Sequence, residues 1–192
     1  MNNPKDMEIL EKLTDILDTL KIPYAISGSM ASSAYGAVRF TQDADIAVAP
    51  FDAIAEKFFE SIKSEFYISK EAMRQALRKE SSFNVIHFAT AFKIDIFVLV
   101  EDEFWSRIIP RKCNLRLTNR NKEMSFVSPK DMVLIKLDWY RHTECSSDRQ
   151  WSDVIAVLSA QSQSLDYKYM QTSAEKLGIG ELLQKALAES EK

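Results

Sequence analysis

Glycine and cysteine are both scarce in this chain, and long hydrophobic runs are missing. The 192 residues include 4 glycines, whereas average usage would give about 13. The 2 cysteines, Cys113 and Cys145, lie too far apart in the sequence for a CxxC metal or redox motif. The longest apolar runs, such as residues 96–100, are far shorter than the roughly 18 residues that suggest a membrane span. We therefore expect a soluble, cytoplasmic protein that has no membrane partner.

The overall charge bears on whether the protein binds nucleic acid. The formal net charge is −3, which argues against binding nucleic acid over the whole surface. The composition of 46% hydrophobic and 28% charged residues is that of an ordinary globular domain rather than a disordered chain. A domain of this size has enough core to form a cleft. Any partner must then be recognised by a local site on the surface. The sequence does not predict the oligomeric state.

The hydrophobic pattern divides the chain into two parts. In residues 1–127, helical spacing of apolar residues alternates with short runs of β-branched and aromatic residues. These runs predict a strand at residues 44–49 and an antiparallel hairpin at 83–88 and 93–100. Residues 128–192 carry helical patterns only. We therefore expect an α+β (mixed α/β) fold with a mixed central sheet flanked by helices, followed by a small C-terminal helical region.

Capping signals locate the helices of the second part. Ser128 precedes Pro129 at a first helical position, and Ser147 repeats the capping pattern at a second helix. The polar residues 159–164 predict a linker after that second helix. Gly178 is the residue type expected just past the end of the next helix.

Gly28 and Ser29 stand where a short predicted strand runs into a helix. Glycine permits a tight turn and close backbone approach, serine offers a hydroxyl group, and a helix N-terminus presents free N–H groups to a phosphate. Neither the Walker A pattern nor GxGxxG occurs in the sequence. If this chain binds a phosphate, we expect it to do so at this two-residue turn.

Three aspartates lie on predicted strands. Strand side chains alternate between faces, so Asp43 and Asp45 point the same way, about 7 Å apart. Asp95 is the only acidic residue inside the next strongly apolar strand, and a charged carboxylate is rarely buried unless it is paired or bound to a metal. The alternative is that the first two merely flank a strand start while Asp95 is exposed at an edge.

The aspartates and the glycine turn explain one another as a nucleotidyl-transfer site. Asp43, Asp45 and Asp95 supply the oxygen ligands that hard divalent cations prefer. Two such ions, about 3.5 to 4 Å apart, can bridge a nucleoside triphosphate and activate an acceptor hydroxyl for in-line displacement. We therefore predict a metal site at the three aspartates and a phosphate site at Gly28 and Ser29.

This combination resembles the nucleotidyltransferase superfamily, which includes DNA polymerase beta and the aminoglycoside and lincosamide nucleotidyltransferases. The family motif is a Gly-Ser turn, then Asp-x-Asp, then a carboxylate on a later strand, and it is matched here by Gly28-Ser29, Asp43-Ala-Asp45 and Asp95. The resemblance implies the nucleotidyltransferase fold over residues 1–127 as a catalytic core. It also implies Mg²⁺ as the metal and a nucleoside triphosphate (NTP) as the substrate.

Within that superfamily the chain is similar to small bacterial proteins related to AbiEii-type toxins. The similarity continues into the helical region at Lys136, Arg149 and Asp153, and it implies that the lysine and arginine handle the triphosphate. A surface salt-bridging role is the alternative, since Arg149 and Asp153 are four residues apart and suited to pairing on a helix. Arg39, four residues before Asp43, is expected either to contact phosphate or to pair with an aspartate.

A basic stretch and the resemblance to toxin-related proteins indicate which molecule could accept the nucleotidyl group. Residues 107–122 contain six lysines and arginines and no acidic residue, so they form a local positive field suited to RNA or a triphosphate. A solvated hairpin is the alternative for this stretch. RNA or protein is the favoured acceptor, and a small antibiotic molecule is the second choice. A different class of function is a non-catalytic, nucleotide-binding or regulatory partner in a toxin–antitoxin pair.

Overall fold

A seven-stranded mixed sheet forms the centre of the described structure. The computed structural model describes residues 4–37, 41–116 and 122–191. In these residues the strand order is β3-β4-β5-β2-β1-β7-β6. The strands are β1 (Tyr24–Ser27), β2 (Asp43–Val48), β3 (Phe66–Ile68), β4 (Ser82–His87), β5 (Lys93–Val98), β6 (Cys113–Arg116) and β7 (Glu123–Phe126).

The sheet combines parallel and antiparallel pairs. The pairs β2 with β5 and β1 with β7 are parallel, and the other four pairs are antiparallel. The predicted hairpin is β4 with β5, and the predicted strand at residues 44–49 is β2, which begins one residue earlier at Asp43. The mixed α/β class is therefore confirmed.

Eight α-helices flank or follow the sheet in the described residues. They are α1 (Pro4–Thr19), α2 (Gly28–Ala34), α3 (Ala55–Ile62), α4 (Lys70–Lys79), α5 (Pro129–His142), α6 (Asp148–Gln161), α7 (Tyr167–Lys176) and α8 (Gly180–Ser190). None of these helices combines the length and the apolar character that crossing a lipid bilayer requires.

Side-chain caps start the two helices that lie over the sheet. Ser128 accepts a hydrogen bond from the backbone N–H of Asp131 at the start of α5, and Ser147 accepts one from Gln150 at the start of α6. Such caps satisfy N–H groups that have no partner inside the helix. Both helix starts agree with the sequence prediction.

One prediction for the C-terminal region needs correction. The polar linker predicted at residues 159–164 is wrong in its first half, because α6 continues to Gln161. Ala160 packs against Gly36, and the Gln161 side chain donates a hydrogen bond to the Tyr35 carbonyl over 3.3 Å, so tertiary contacts extend the helix past its apolar pattern. The helix α8, which begins at Gly180, lies in the region predicted to be helical, but its bounds were not predicted.

Gly36 sets how closely α6 approaches the end of α2. Its φ is +130°, a conformation that L residues rarely adopt, and a Cβ built there would lie 2.4 Å from the Ala160 Cβ and 3.2 Å from the Ala156 carbonyl oxygen. The helix that carries Arg149 therefore packs on the helix that carries Ser29 only because residue 36 has no side chain. The division of the chain at residues 127 and 128 stays a prediction.

Replacing Gly36 with alanine should destabilise this packing. We expect Gly36→Ala to lower the free energy of unfolding by about 3 kcal/mol, from overpacking together with backbone strain. Gly178→Ala is the matched control, because φ is also positive there (+70°) but nothing lies within 4 Å of the added Cβ. It should cost about 1 kcal/mol, from backbone strain alone. Urea denaturation measures both, and equal losses would contradict the packing argument.

Candidate active site

A row of polar side chains crosses four neighbouring strands. Asp45 on β2 is in register with Ser27 on β1 and with Asp95 on β5, and Asp95 is in register with Asn84 on β4. Residues paired in this way share one face of a sheet, and neighbouring strands are about 4.8 Å apart. Asp43 lies two residues before Asp45 on the same face. The structure thus brings the three predicted aspartates to one face.

The carboxylates already have polar partners. The ammonium group of Lys93, which pairs in register with Asp43, lies 2.7 Å from Oδ2 of Asp95. The hydroxyl of Thr41 donates to Oδ1 of Asp43 over 2.8 Å. Lys93 was not anticipated, although its position two residues before Asp95 on a strand puts it on the same face. Asp95 is therefore held by a cation from its own strand.

The surroundings of the Asp45 carboxyl group raise its pKa. Burial, and then the neighbouring charges of Asp43 and Asp95, raise its pKa to about 6, while Lys136 and Lys93 act in the opposite direction. Burial and like charges both disfavour the charged form of an acid. The site thus concentrates negative charge that an added cation would neutralise.

Gly28 allows the β1–α2 turn to pass directly beneath Asp45. Its φ is +59°, and a Cβ built on it would lie 1.7 Å from Oδ2 of Asp45. Glycine is required here both for the left-handed backbone and for the space that the carboxylate occupies. The Gly-Ser turn and the Asp-x-Asp strand therefore form one unit.

Lys136 reaches this face of the sheet from α5 and is held by a buried ion pair. Its ammonium lies 2.8 Å from Oδ2 of Asp153 on α6, with side-chain exposures of 5% and 4%. It also donates to Oε1 of Gln150 over 2.9 Å. The alternative pairing of Arg149 with Asp153 is not what the structure describes, since Asp153 pairs with Lys136 and Arg149 contacts Ser29.

Arg149 links α6 to the glycine turn. Its Nη2 donates to Oγ of Ser29 over 3.2 Å, a contact between residues that are 120 positions apart in the sequence. Ser29 itself is buried. A guanidinium group thus lies beside the hydroxyl that was predicted to contact phosphate.

A cavity of about 620 Å³ opens over these groups. Six of the predicted site residues line it: Gly28, Ser29, Asp43, Asp45, Lys136 and Arg149. Two do not line it: Asp95, whose carboxylate pairs with Lys93, and Asp153, which is buried and pairs with Lys136. Arg39 falls outside the described residues, so its role stays a prediction. The cavity is thus bordered by carboxylates and by cations.

Several lining residues were missed by the sequence analysis. Trp139 lines the cavity, is 47% exposed, and its ring meets that of Phe97 edge-on, with centroids 6.1 Å apart. Glu80 also lines the cavity. The spacing of Trp139 three residues after Lys136 was the available signal, since residues three apart share a helix face.

Ion pairs neutralise much of the basic stretch. Arg111 binds the buried Asp131 through Nε and Nη2, at 3.0 Å for Nε to Oδ2 and for Nη2 to Oδ1. Lys122 pairs with Asp15 and with Asp18. Residues 117–121 lie outside the described part of the chain. These pairs reduce the local positive field on which the argument for RNA depends.

The donor set fits Mg²⁺ in its chemistry but not in its present arrangement. Carboxylate and hydroxyl oxygens are the ligands that Mg²⁺ prefers. Among the described residues, however, no three His, Cys, Asp or Glu side chains are grouped closely enough to hold a metal ion. The Lys93–Asp95 ion pair gives a physical reason, because the Lys93 ammonium group occupies Oδ2 of the third carboxylate. Asp43 and Asp45 would hold the ion, and Asp95 would join them once Lys93 is displaced.

Breaking the buried Lys136–Asp153 pair should strongly destabilise the protein. We expect Lys136→Met to lower the free energy of unfolding by about 3 to 5 kcal/mol, because it leaves a buried charge without its counter-ion. The double variant Lys136→Met, Asp153→Leu should recover most of this loss. The exposed pair Glu60 and Lys63 is the control, and Lys63→Met should change stability by less than about 1 kcal/mol. Additive losses in the double variant, measured by urea denaturation, would contradict the pairing.

Comparison with known proteins identifies the fold. No protein-family model matches the sequence, and no curated protein matches it. Among solved structures, the lincosamide antibiotic adenylyltransferase LnuA with lincomycin bound is similar with a TM-score of 0.54 and 11% identity, over 82% of this chain and 98% of that one. A nucleotidyltransferase-like protein from Paracoccidioides brasiliensis is similar with a TM-score of 0.54 and 16% identity, over 96% of this chain and 93% of that one.

A third similar structure is that of the antibiotic-resistance factor ANT(2″)-Ia, with a TM-score of 0.54 and 11% identity, over 96% of this chain and 94% of that one. The expected closeness to AbiEii-type proteins stays a prediction. These similarities show that the chain has the nucleotidyltransferase fold.

Proposed function

We propose that this protein is a metal-dependent nucleotidyltransferase that moves a nucleoside monophosphate group from an NTP to an acceptor hydroxyl or phosphate. One observation carries the proposal: one cavity is lined by the carboxylates of Asp43 and Asp45 together with Ser29, Lys136 and Arg149. Carboxylates that attract metal ions and cations that attract phosphate are the two halves of a nucleotidyl-transfer site.

The cationic side of the cavity is suited to a triphosphate. Arg149 offers a planar guanidinium group that can form paired hydrogen bonds to phosphate oxygens, and Ser29 adds a hydroxyl group at 3.2 Å from it. Lys136 contributes a positive charge whose position is fixed by Asp153. Asp153 is therefore a positioning residue, and the β and γ phosphates would lie along this side.

The carboxylate side is suited to magnesium. When bound there, Mg²⁺ neutralises charge on the phosphates and on the attacking oxygen. Asp43 and Asp45 would hold the ion. Burial, and then repulsion from Asp43 and Asp95, raises the pKa of Asp45, and such a cation would relieve the repulsion.

The transfer itself forms one bond and breaks another. The acceptor oxygen attacks the α phosphorus, the bond from that phosphorus to the bridging oxygen of the β phosphate breaks, and pyrophosphate leaves. The proton of an acceptor hydroxyl passes to the carboxylate of Asp95 or Asp45, both on the face that the acceptor would approach. Positioning and electrostatics supply most of the catalysis in this chemistry.

A small molecule is the acceptor class that the cavity supports best. Its volume of about 620 Å³ lies in the range typical of small-molecule sites. Two similar structures contain lincomycin and adenylyl-2″-tobramycin. The ion pairs within the basic stretch remove part of the case for RNA. RNA or protein as acceptor, and a role in a toxin–antitoxin pair, stay predictions.

Removing both strand carboxylates tests the proposal. We expect the wild-type protein to bind at least one of the four ribonucleoside triphosphates in calorimetry with Mg²⁺. Asp43→Asn with Asp45→Asn should reduce this binding, or the release of pyrophosphate, by roughly 100-fold or more. The control is Asp52→Asn, at an exposed acid in a short 3₁₀ turn, which should change neither quantity.

Two outcomes would count against this proposal. No metal-dependent nucleotide binding by the wild-type protein would remove the enzyme proposal. Unchanged turnover in the double variant would show that the reaction takes place at a different site.

Lys93 should compete with the metal ion for Asp95. Its ammonium lies 2.7 Å from Oδ2 of Asp95, and a partly exposed ion pair of this kind is worth up to about 1 kcal/mol. We therefore expect Lys93→Gln to tighten Mn²⁺ binding about two- to fivefold in the absence of nucleotide, as measured by electron paramagnetic resonance. Lys93→Arg retains the charge and should bind Mn²⁺ as the wild type does. Equal or weaker binding in Lys93→Gln would show that Lys93 does not oppose the metal.

A further inference from the structure

One end of the cavity has an aromatic character that nucleotidyl transfer does not require. The indole of Trp139 on α5 and the phenyl ring of Phe97 on β5 both line it, and they meet edge-on at an interplanar angle of 90°. Residues 131–138 and 140 of α5 are buried, whereas Trp139 is 47% exposed. A large apolar side chain that borders a cavity and remains open to solvent is a candidate binding surface.

This aromatic end lies on the Asp95 side of the site. Phe97 follows Asp95 by two residues on the same face of β5, and it is in register with Ala47 on β2 and with Ser82 on β4. Ser29 and the guanidinium of Arg149 lie on the other side of the carboxylates, next to β1. A ring bound against Trp139 would therefore lie away from the triphosphate.

Glu80 gives the same end of the cavity a negative charge. It lines the cavity and ends α4 in a left-handed conformation with φ of 48°. The backbone N–H of Val98 donates to the carbonyl of Ser81 over 2.9 Å, which fixes this segment beside Phe97. Among residues 4–37, 41–116 and 122–191, Glu80 forms no ion pair. Its carboxylate is available to a ligand.

We propose that Trp139, Phe97 and Glu80 form a subsite for a small molecule that carries a flat apolar ring and a positive charge. The ring packs on the face of Trp139, and the charge lies near the carboxylate of Glu80. Assigning this molecule to the acceptor rests on the proposed function, in which Asp95 lies next to the acceptor. The cavity then has a cationic end for the triphosphate and an aromatic, anionic end for the acceptor.

The nucleobase of the triphosphate is the other ring that this surface could take. A base is uncharged and can only donate a hydrogen bond to a carboxylate such as Glu80, whereas a cationic ring is attracted by charge to both the carboxylate and the aromatic face. The charge at this end of the cavity therefore favours the acceptor over the base. The experiment below separates the two.

Tryptamine is a suitable probe, since it combines a flat ring with an ammonium group, and indole-3-acetate is its counterpart of opposite charge. We expect the wild-type protein to bind tryptamine at millimolar concentration in a saturation-transfer NMR titration, and to bind indole-3-acetate more weakly. Trp139→Ala should weaken tryptamine binding about tenfold, which corresponds to about 1.4 kcal/mol. Glu80→Gln should remove the preference for tryptamine over indole-3-acetate.

A control variant and a competition measurement accompany the tryptamine titration. Tyr67→Ala removes an aromatic ring that is 55% exposed on the edge strand β3, outside the cavity, and it should leave tryptamine binding unchanged. Adenosine should not displace tryptamine from the wild-type protein. Circular dichroism and thermal unfolding of each variant verify that the fold is retained.

The outcomes that overturn the proposal are distinct from those that overturn the enzymatic function. Absence of tryptamine binding, or equal binding by wild type and a folded Trp139→Ala, removes the subsite. Displacement of tryptamine by adenosine assigns the ring to the nucleotide and removes the acceptor assignment. If tryptamine binds as expected but no triphosphate binds with Mg²⁺, the subsite stands and the nucleotidyltransferase proposal fails.

Discussion

The parallel pairing of β2 with β5 is the constraint on which the site depends, because it brings Asp45 into register with Asp95. The register is set by the opposite face of the same strands, where Ala44, Ile46, Ile94 and Ile96 are completely buried. A shift of one residue would turn these apolar side chains to the cavity and the carboxylates into the core. The register that buries the apolar side chains is therefore the same register that brings the carboxylates together. The core packing offsets the repulsion among those carboxylates.

The helical region completes the cavity by supplying charges and rings from above the sheet. Lys136 and Trp139 are three residues apart on α5, so that one helix face brings an ammonium group toward the carboxylates and an indole toward Phe97. The buried ion pair of Lys136 with Asp153 ties α5 to α6. Gly36 lets α6 approach α2 closely enough for Arg149 to reach Ser29. A buried ion pair is seldom a large source of stability, and here it fixes where a positive charge lies.

Much of this arrangement could be predicted from local sequence patterns. The strands, the hairpin and the capped starts of α5 and α6 follow from alternation and from Ser-capped helix signals, which act over a few residues. The end of α6 could not be predicted, because Gln161 is polar and its helical state depends on the packing of Ala160 against Gly36 and on a hydrogen bond to Tyr35. Lys136 could be assigned to a helix, but not to its partner, since pairing with Asp153 rather than with another acid is set by how two helices cross.

The sequence by itself determined that Asp43 and Asp45 share a face and that Gly28 occupies a tight turn, because both follow from the geometry of a short stretch of backbone. Only the tertiary structure decided which distant groups meet. It paired Asp95 with Lys93, brought Arg149 to Ser29 across 120 residues, and left Trp139 open to the cavity. It also neutralised Arg111 and Lys122 with acids from other elements. Such contacts depend on the relative positions of packed elements, which no local pattern encodes.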